Sequence, residues 1–77
     1  MKLIEFLLKK TQSGELVVIR DTGYIVATTW IDIENLFARS LTHELSNKVV
    51  RSDEWGELKV TTQHGDKVSY PCHYVDV

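Results

Sequence analysis

The spacing of apolar residues changes between residues 15 and 47, and this change constrains the fold more than any other feature. At the start of this segment the apolar residues occur in two short runs, 16–19 and 24–27, separated by Asp21-Thr22-Gly23. Short apolar runs bounded by turn residues are typical of a β-hairpin. After residue 32 the spacing becomes helical, with one apolar stripe formed by Ile33, Leu36, Phe37, Leu41 and Leu45. The sequence therefore predicts a folded α+β domain.

The other elements follow from the same patterns. A first helix is predicted over 3–10, with Leu3, Phe6 and Leu7 facing the core, and a second helix over 33–46. Strands are predicted over 15–20, 24–30, 48–51, 57–62 and 67–75, with a turn at 52–54. The expected architecture is one domain, residues 1–77. In it two short helices pack on a mostly antiparallel sheet, in the order helix, strand, strand, helix, strand, strand, strand.

Caps and turns refine this prediction. Asp32 stands where an N-cap of the second helix belongs, and Asn47 where a left-handed C-terminal cap belongs. Gly23 is expected in the left-handed position of a three-residue hairpin loop, Asp21-Thr22-Gly23. The remaining glycines, at 14, 56 and 65, are interpreted as isolated turn residues rather than as a phosphate-binding loop.

The register of the second hairpin can also be predicted. Even-numbered residues form the apolar faces of both its strands, so even positions must lie opposite even positions. This requires a loop with an odd number of residues around His64-Gly65-Asp66, because a two-residue turn would place Val60 opposite Pro71. Pro71 has no N–H to donate, which predicts that the last strand lies at an edge of the sheet.

The first hairpin has apolar residues on both faces. In the expected register Val17 and Ile19 share a face with Ile25 and Ala27, while the other face carries Leu16, Val18, Val26 and Thr28. Two short helices cover one face of a sheet well. We therefore expect the second face to be covered by the C-terminal strands, by a second copy of the chain or by a partner protein.

Composition narrows the functional classes. Nine basic and eleven acidic residues are spread along the chain without a basic stripe, which disfavours a nucleic-acid binder. A single cysteine, Cys72, cannot form an intramolecular disulfide and suits a reducing compartment. No apolar run is long enough to cross a bilayer, and Glu5 interrupts the apolar N-terminal segment. The expected location is the cytoplasm.

The residue types that carry out catalysis do not occur at spacings that would bring them together in the fold. Cys72 and His73 are adjacent on a strand and should point to opposite faces, which disfavours both a zinc site and a Cys-His nucleophile pair. The expected arrangement is a core cysteine with solvent-facing histidines. The acidic group Asp53, Glu54 and Glu57 is interpreted as a solvated turn. We therefore expect no enzyme activity, no cofactor and no metal.

Aromatic residues are the stronger candidates for a binding role. Trp55 is expected at an exposed turn, whereas Trp30 is expected to pack structurally. The residues assigned to partner binding are Trp55, Tyr24, Tyr70 and Tyr74. The same aromatics could also stack on the bases of a single-stranded nucleic acid.

The order of elements also resembles that of other small proteins. The stretches MKLIEFLLKK, ELVVIRDTGYIVATTW, DIENLF and VVRSDEWGELKVTT are similar to many small proteins encoded by phages and prophages of Gram-positive bacteria. The resemblance implies a cytoplasmic accessory protein and carries over no catalytic residues. The sequence thus predicts a non-enzymatic protein that binds another protein or itself as a homodimer. The alternative is a single-stranded nucleic-acid-binding protein.

Overall fold

Helix α1 spans Leu3–Lys10, the same residues that the apolar spacing predicts. The structure is a computed structural model and describes residues 1–32 and 42–77. Leu3, Phe6 and Leu7 are buried on one side of α1, as predicted, whereas Leu8 is exposed. The Glu5 carboxylate accepts a hydrogen bond from the backbone N–H of Lys2, 3.3 Å away, which satisfies one donor at the start of the helix.

The described residues form two short helices and a four-stranded mixed sheet, which confirms the α+β class. Antiparallel pairs are formed by β1 with β2 and by β3 with β4, while β1 and β4 pair in parallel. The order across the sheet is β2-β1-β4-β3. After α1, the elements in chain order are β1 (Leu16–Asp21), β2 (Tyr24–Trp30), α2 (His43–Ser46), β3 (Ser52–Thr61) and β4 (Lys67–Asp76).

The prediction that the last strand is an edge is wrong. β4 lies inside the sheet, with β3 on one side and β1 on the other. Its pairing with β1 starts at Leu16↔Cys72, one residue after Pro71, so at Pro71 the strand has β3 as its ladder neighbour but not yet β1. A proline is compatible with an interior strand at such a point, because no ladder bond to β1 is lost there.

The predicted strand over 48–51 and the turn over 52–54 are also wrong. Within 48–51 the pairing is an isolated antiparallel bridge between Val49 and Lys2. Strand β3 begins at Ser52, so Ser52, Asp53 and Glu54 belong to a strand of ten residues. Their side chains are polar and exposed, as those of turn residues usually are. Composition alone therefore suggested a turn.

The first hairpin has a tighter loop than expected. Asp21 pairs with Tyr24, which leaves a two-residue loop of Thr22 and Gly23 with φ angles of 52° and 85°. The left-handed Gly23 is therefore confirmed, but the three-residue loop is not. Positive φ at both positions is typical of a type I′ turn, whose twist matches that of the strands.

A register shift in the first hairpin changes the predicted faces. Ile19 pairs with Ala27, but Arg20 pairs with Ile25, so Val26 is an extra residue on β2. A residue inserted in this way forms a β-bulge and reverses the alternation beyond it. Ile25 therefore lies opposite Arg20 rather than beside Val17. Val26 lines a hollow together with Ala27 instead of sharing a face with Val18.

The second hairpin follows the predicted register. Val60 lies opposite Val68, Leu58 opposite Tyr70, and Glu54 opposite Tyr74, so even positions face even positions. The loop between β3 and β4 contains five residues, 62–66, an odd number as required. Gly65 has a φ of 84°, which suits the turn, whereas Gly56 lies inside β3 and is not a turn residue.

The second helix is described only over His43–Ser46, and Thr42 is its N-cap, with its hydroxyl accepting the N–H of Leu45 at 3.1 Å. The helix predicted over 33–46, with Ile33, Leu36, Phe37 and Leu41, falls mainly on residues 33–41, outside the described residues, so the N-cap predicted at Asp32 stays a prediction. Asn47 is the C-terminal cap, but with φ −92° and ψ −4° it is right-handed. The left-handed cap is therefore wrong.

Two apolar clusters lie on opposite faces of the sheet. The larger cluster lies between α1 and the sheet and contains Leu3, Phe6, Leu7, Val17, Ile19, Ile31, Val75 and Val77. The smaller cluster, on the other face, contains Leu16, Val18 and Cys72, with Leu58 and Tyr74 packed against it. β1 is thus buried on both faces, as its uninterrupted apolar run indicates.

Candidate functional site

The face of the sheet opposite α1 carries Trp30, Tyr70 and Tyr74, and we call it the aromatic face. It is defined by the smaller cluster and by the side chains at every second position from its members along the strands, which share its face. Trp30 pairs with Leu16 on β1, and Tyr70 pairs with Leu58 on β3. These pairings place Trp30 and Tyr70 on the same face although they lie 40 positions apart in the sequence.

Trp30 and Tyr70 form the centre of an exposed apolar patch. Their rings contact edge to face, with centroids 5.6 Å apart and an angle of 88° between the planes. Trp30 is 49% exposed and Tyr70 36% exposed, so the pair covers its neighbours but remains accessible to solvent. Leu58 and Val60, on β3, continue the patch, and Val60 is also exposed. The expectation that Trp30 is simply packed is therefore wrong.

The other end of the aromatic face is a closed network of charges. The Arg20 guanidinium donates through Nε to Asp76 Oδ1 at 2.9 Å and through Nη2 to Glu54 Oε1 at 3.1 Å. It also lies over the Tyr74 ring, 4.7 Å from the centroid. The Ser52 hydroxyl donates to Asp76 Oδ2 at 2.8 Å. Two carboxylates and a ring therefore occupy Arg20, and its charge is already compensated.

These contacts predict an acid-sensitive component of stability. The Arg20 guanidinium, and after it the Ser52 hydroxyl, hold the pKa of Asp76 below its usual value. The stabilisation is therefore fully present above the unfolded-state pKa of about 3.9 and is lost as the pH falls through the lower folded-state pKa. Asp76→Asn should flatten the acid limb of the stability curve, measured by urea denaturation at a series of pH values.

The matched control for this prediction is Asp66→Asn, a change of the same chemistry in the exposed loop between β3 and β4. It should leave the acid limb as in the wild-type protein. An Asp76→Asn variant that loses stability on acidification as steeply as the wild type would contradict the assignment.

Tyr74, one of the predicted partner-binding residues, is held within the fold. Its hydroxyl donates to the backbone carbonyl of Glu57 at 2.9 Å. Its ring covers Gly56, where a Cβ would lie only 3.1 Å from two ring atoms. The absence of a side chain at Gly56 is what admits the ring, an arrangement in which an aromatic side chain shields a strand glycine. Tyr74 is therefore partly buried and has little surface to offer.

The other predicted aromatics do not converge with Tyr70. Tyr24 lies at the start of β2, beside the hairpin loop, and is largely exposed. Trp55 lies within β3 and not at a turn, and its ring points to the α1 side of the sheet, where it contacts His73 with centroids 4.5 Å apart. The four predicted residues thus occupy three separate places. The partner of Tyr70 on the aromatic face is Trp30, which was expected to pack structurally.

His73 and Cys72 point to opposite faces of β4, as the strand alternation predicts. His73 is not solvent-facing, however, because its Nε2 lies 3.1 Å from Glu15 Oε2 and its ring also contacts Phe6. Burial raises the pKa of the Cys72 thiol, which disfavours the reactive thiolate. In the described part of the chain no three His, Cys, Asp or Glu side chains come together as metal ligands.

A hollow of about 280 Å³ lies between β2 and α2. Val26, Ala27 and Leu45 line it, together with Lys48 and Asp21. The Lys48 ammonium lies 2.6 Å from Asp21 Oδ2, and this contact raises the pKa of Lys48. The cation is therefore already neutralised, and the hollow does not provide a free anion site.

Comparisons with models of known protein families, with curated proteins and with solved structures give no match for this chain. None of the helices among the described residues is long and apolar enough to span a membrane. Function is therefore inferred from the geometry of the structure. This is an α+β fold with a mixed sheet and an uncharged aromatic patch on the face opposite α1.

Proposed function

We propose that this protein is a non-enzymatic protein-binding module and that it binds its partner through the aromatic face. The observation that carries the proposal is the exposed Trp30–Tyr70 pair beside Leu58 and Val60. Trp and Tyr are the residues most enriched in binding hot spots, where they fill apolar pockets of a partner. Large apolar side chains exposed together on one face mark an interaction surface rather than an ordinary surface.

The proposed setting is the cytoplasm, where the protein acts as an accessory factor of a phage or prophage. The resemblance of the element order to small phage and prophage proteins supports this part of the proposal, and a single reduced cysteine is compatible with it. The partner is expected to present an apolar surface with few charges, since the patch itself carries none.

Single-stranded nucleic acid is the alternative ligand, since bases could stack on Trp30 and Tyr70. Such binding needs cations beside the aromatic rings to contact phosphates. On the described residues of this face the cation is Arg20, which is already bound to Asp76 and Glu54. The charge distribution therefore favours a protein partner.

The test compares two aromatic residues of the same strand. The immobilised protein is exposed to a cell lysate of the source organism, and the retained proteins are identified by mass spectrometry. Trp30→Ala should weaken retention of the specific partner at least about 30-fold, because truncation of a hot-spot Trp costs about 2 kcal/mol or more. Tyr24→Ala removes an even more exposed aromatic of β2 away from the patch and should have little effect.

A second measurement separates the two ligand classes. In a Trp55→Phe background Trp30 is the sole tryptophan, so its fluorescence reports directly on the patch. Addition of the purified partner should shift its emission to the blue, whereas oligonucleotides should not. Equal partner retention by wild type and Trp30→Ala would remove the aromatic face from the proposal, and salt-sensitive oligonucleotide binding would favour the alternative.

A further inference from the structure

The outer edge of β3 is long and regular. β3 pairs with β4 over all ten of its residues without a register shift, and among the described strands it has no neighbour on its other side. In a β-strand alternate residues direct their N–H and C=O groups to either side, so this edge presents backbone groups that another strand can bind. Natural proteins usually block such an edge with a bulge, a proline or unpaired charges.

The charged residues at this edge are complementary to the same residues of a second copy. The sequence at the middle of β3 is Glu57-Leu58-Lys59. If two copies of β3 pair antiparallel with Leu58 at the centre, Glu57 of each copy lies opposite Lys59 of the other. In the described part of the chain neither side chain has an ion-pair partner of its own, and both residues are exposed. Two cross-strand pairs of opposite charge would therefore form at once.

The same register matches the rest of the strand. Trp55, 59% exposed, would lie opposite Thr61 of the second copy, and Val60 opposite Gly56. Each pair joins residues of the same parity, so every side chain stays on its own face of the sheet. The Tyr74 ring covers Gly56, so Val60 of the second copy would lie beside that ring. Apolar area on Val60 and Trp55 would thereby be removed from water.

The other edge strand, β2, is a poorer candidate. Its extra residue, Val26, interrupts the regular alternation between Ile25 and Ala27. A bulge of this kind twists an edge away from a flat partner strand. β2 also carries no charged residue from Tyr24 to Trp30, so it lacks a charge pattern that could set a register.

From these observations we propose that the protein forms a two-fold symmetric homodimer by antiparallel pairing of β3 with β3 of a second copy, centred on Leu58. The two four-stranded sheets then form one continuous sheet of eight strands. Because a two-fold axis perpendicular to the sheet keeps equivalent faces on the same side, both aromatic faces lie on one surface of the dimer. The homodimer deepens the proposed protein-binding function and gives a partner two copies of the patch.

One existing hydrogen bond touches this edge. The Glu57 carbonyl accepts the hydroxyl of Tyr74 at 2.9 Å. A carbonyl oxygen has two lone pairs, so it can accept a second bond from the neighbouring strand. The Tyr74 contact therefore fixes β3 in position and does not occupy the edge.

The test exploits the self-complementary charges. The oligomeric state of the full chain is measured by sedimentation velocity over a concentration series. Lys59→Glu places four carboxylates along the contact and should raise the dimer dissociation constant about tenfold or more, since each pair turns from attraction to repulsion. Glu57→Lys should do the same with four ammonium groups. The double variant Glu57→Lys/Lys59→Glu restores the pattern in reverse and should dimerise like the wild type.

Mixing and control experiments complete the design. Lys59→Glu mixed with Glu57→Lys should form a heterodimer although each variant alone is weakened. Lys67→Glu makes the same charge change on the interior strand β4 and should leave the dimer intact. A wild-type chain that stays monomeric, or a dimer indifferent to Lys59→Glu or not restored by the double variant, would overturn the proposal. None of these residues belongs to the aromatic patch, so such a result leaves the Trp30 experiment interpretable on its own.

Discussion

Replacing Leu7 with alanine is expected to lower the free energy of unfolding by about 2–5 kcal/mol. Leu7 is fully buried between α1 and the sheet, in the cluster that also contains Phe6 and Val17. Its removal leaves a cavity that the surrounding side chains fill only in part. Since the total stability of a domain of this size is roughly 4–12 kcal/mol at 0.05–0.15 kcal/mol per residue, the variant should be close to unfolding.

The neighbouring residue supplies a matched control. Leu8→Ala makes the same chemical change on the same helix, but Leu8 is exposed. Its effect should stay within about 0.5 kcal/mol. Urea denaturation followed by circular dichroism measures both variants. Similar midpoints for Leu7→Ala and Leu8→Ala would show that α1 does not pack on the sheet as described.

Ile19→Ala should have an effect of similar size, about 2–5 kcal/mol, for a different reason. Ile19 lies on β1, which has a strand neighbour on each side and an apolar cluster on each face. Its side chain is fully buried against α1 and β4. The substitution therefore tests whether β1 is an interior strand of the sheet.

Ile25 on β2 provides the comparison, because it is 56% exposed and lies beyond the bulge. Ile25→Ala should lower stability by well under half of the Ile19→Ala effect, since exposed apolar atoms lose little on truncation. Thermal and urea denaturation of the two variants give the result. Equal losses would mean that Ile25 is covered, and the β2 edge would then have to be assigned differently.

Local patterns predicted the local elements of this protein well. The apolar spacing of Leu3, Phe6 and Leu7 was enough to place α1, because a helix of two turns is determined by side chains three and four residues apart. The parity of the second hairpin followed from the alternation along Leu58, Val60 and Tyr70, since a one-residue slip would move every side chain to the wrong face.

The arrangement of the hairpins was not predictable in the same way. The parallel pairing of Leu16 with Cys72 joins strands that are far apart in the sequence, and no local pattern records the choice of neighbour. Pro71 suggested an edge because a proline cannot donate to a ladder. The structure places it one residue before the second ladder begins, which a rule about residue types does not detect.

The candidate site was likewise only partly predictable from the sequence. Exposed aromatics were expected to carry binding, and Tyr70 lies on the proposed surface. Trp30 was expected to pack structurally because it ends a strand, but at the edge position of β2 it remains half exposed. The Glu15–His73 contact likewise joins two distant residues and depends on the β1–β4 pairing, so the sequence could not indicate it.

The parallel ladder between β1 and β4 also has a consequence for how the chain reaches its fold. Each hairpin closes a short loop, whereas Leu16↔Cys72 closes a segment of 56 residues, and non-local closure slows folding. Until that closure occurs, the apolar run from Leu16 to Ile19 has one unpaired edge and no shared core. The half-assembled chain is therefore the species most prone to aggregate. If the two hairpins meet late, Ile19→Ala should accelerate unfolding more than it slows folding.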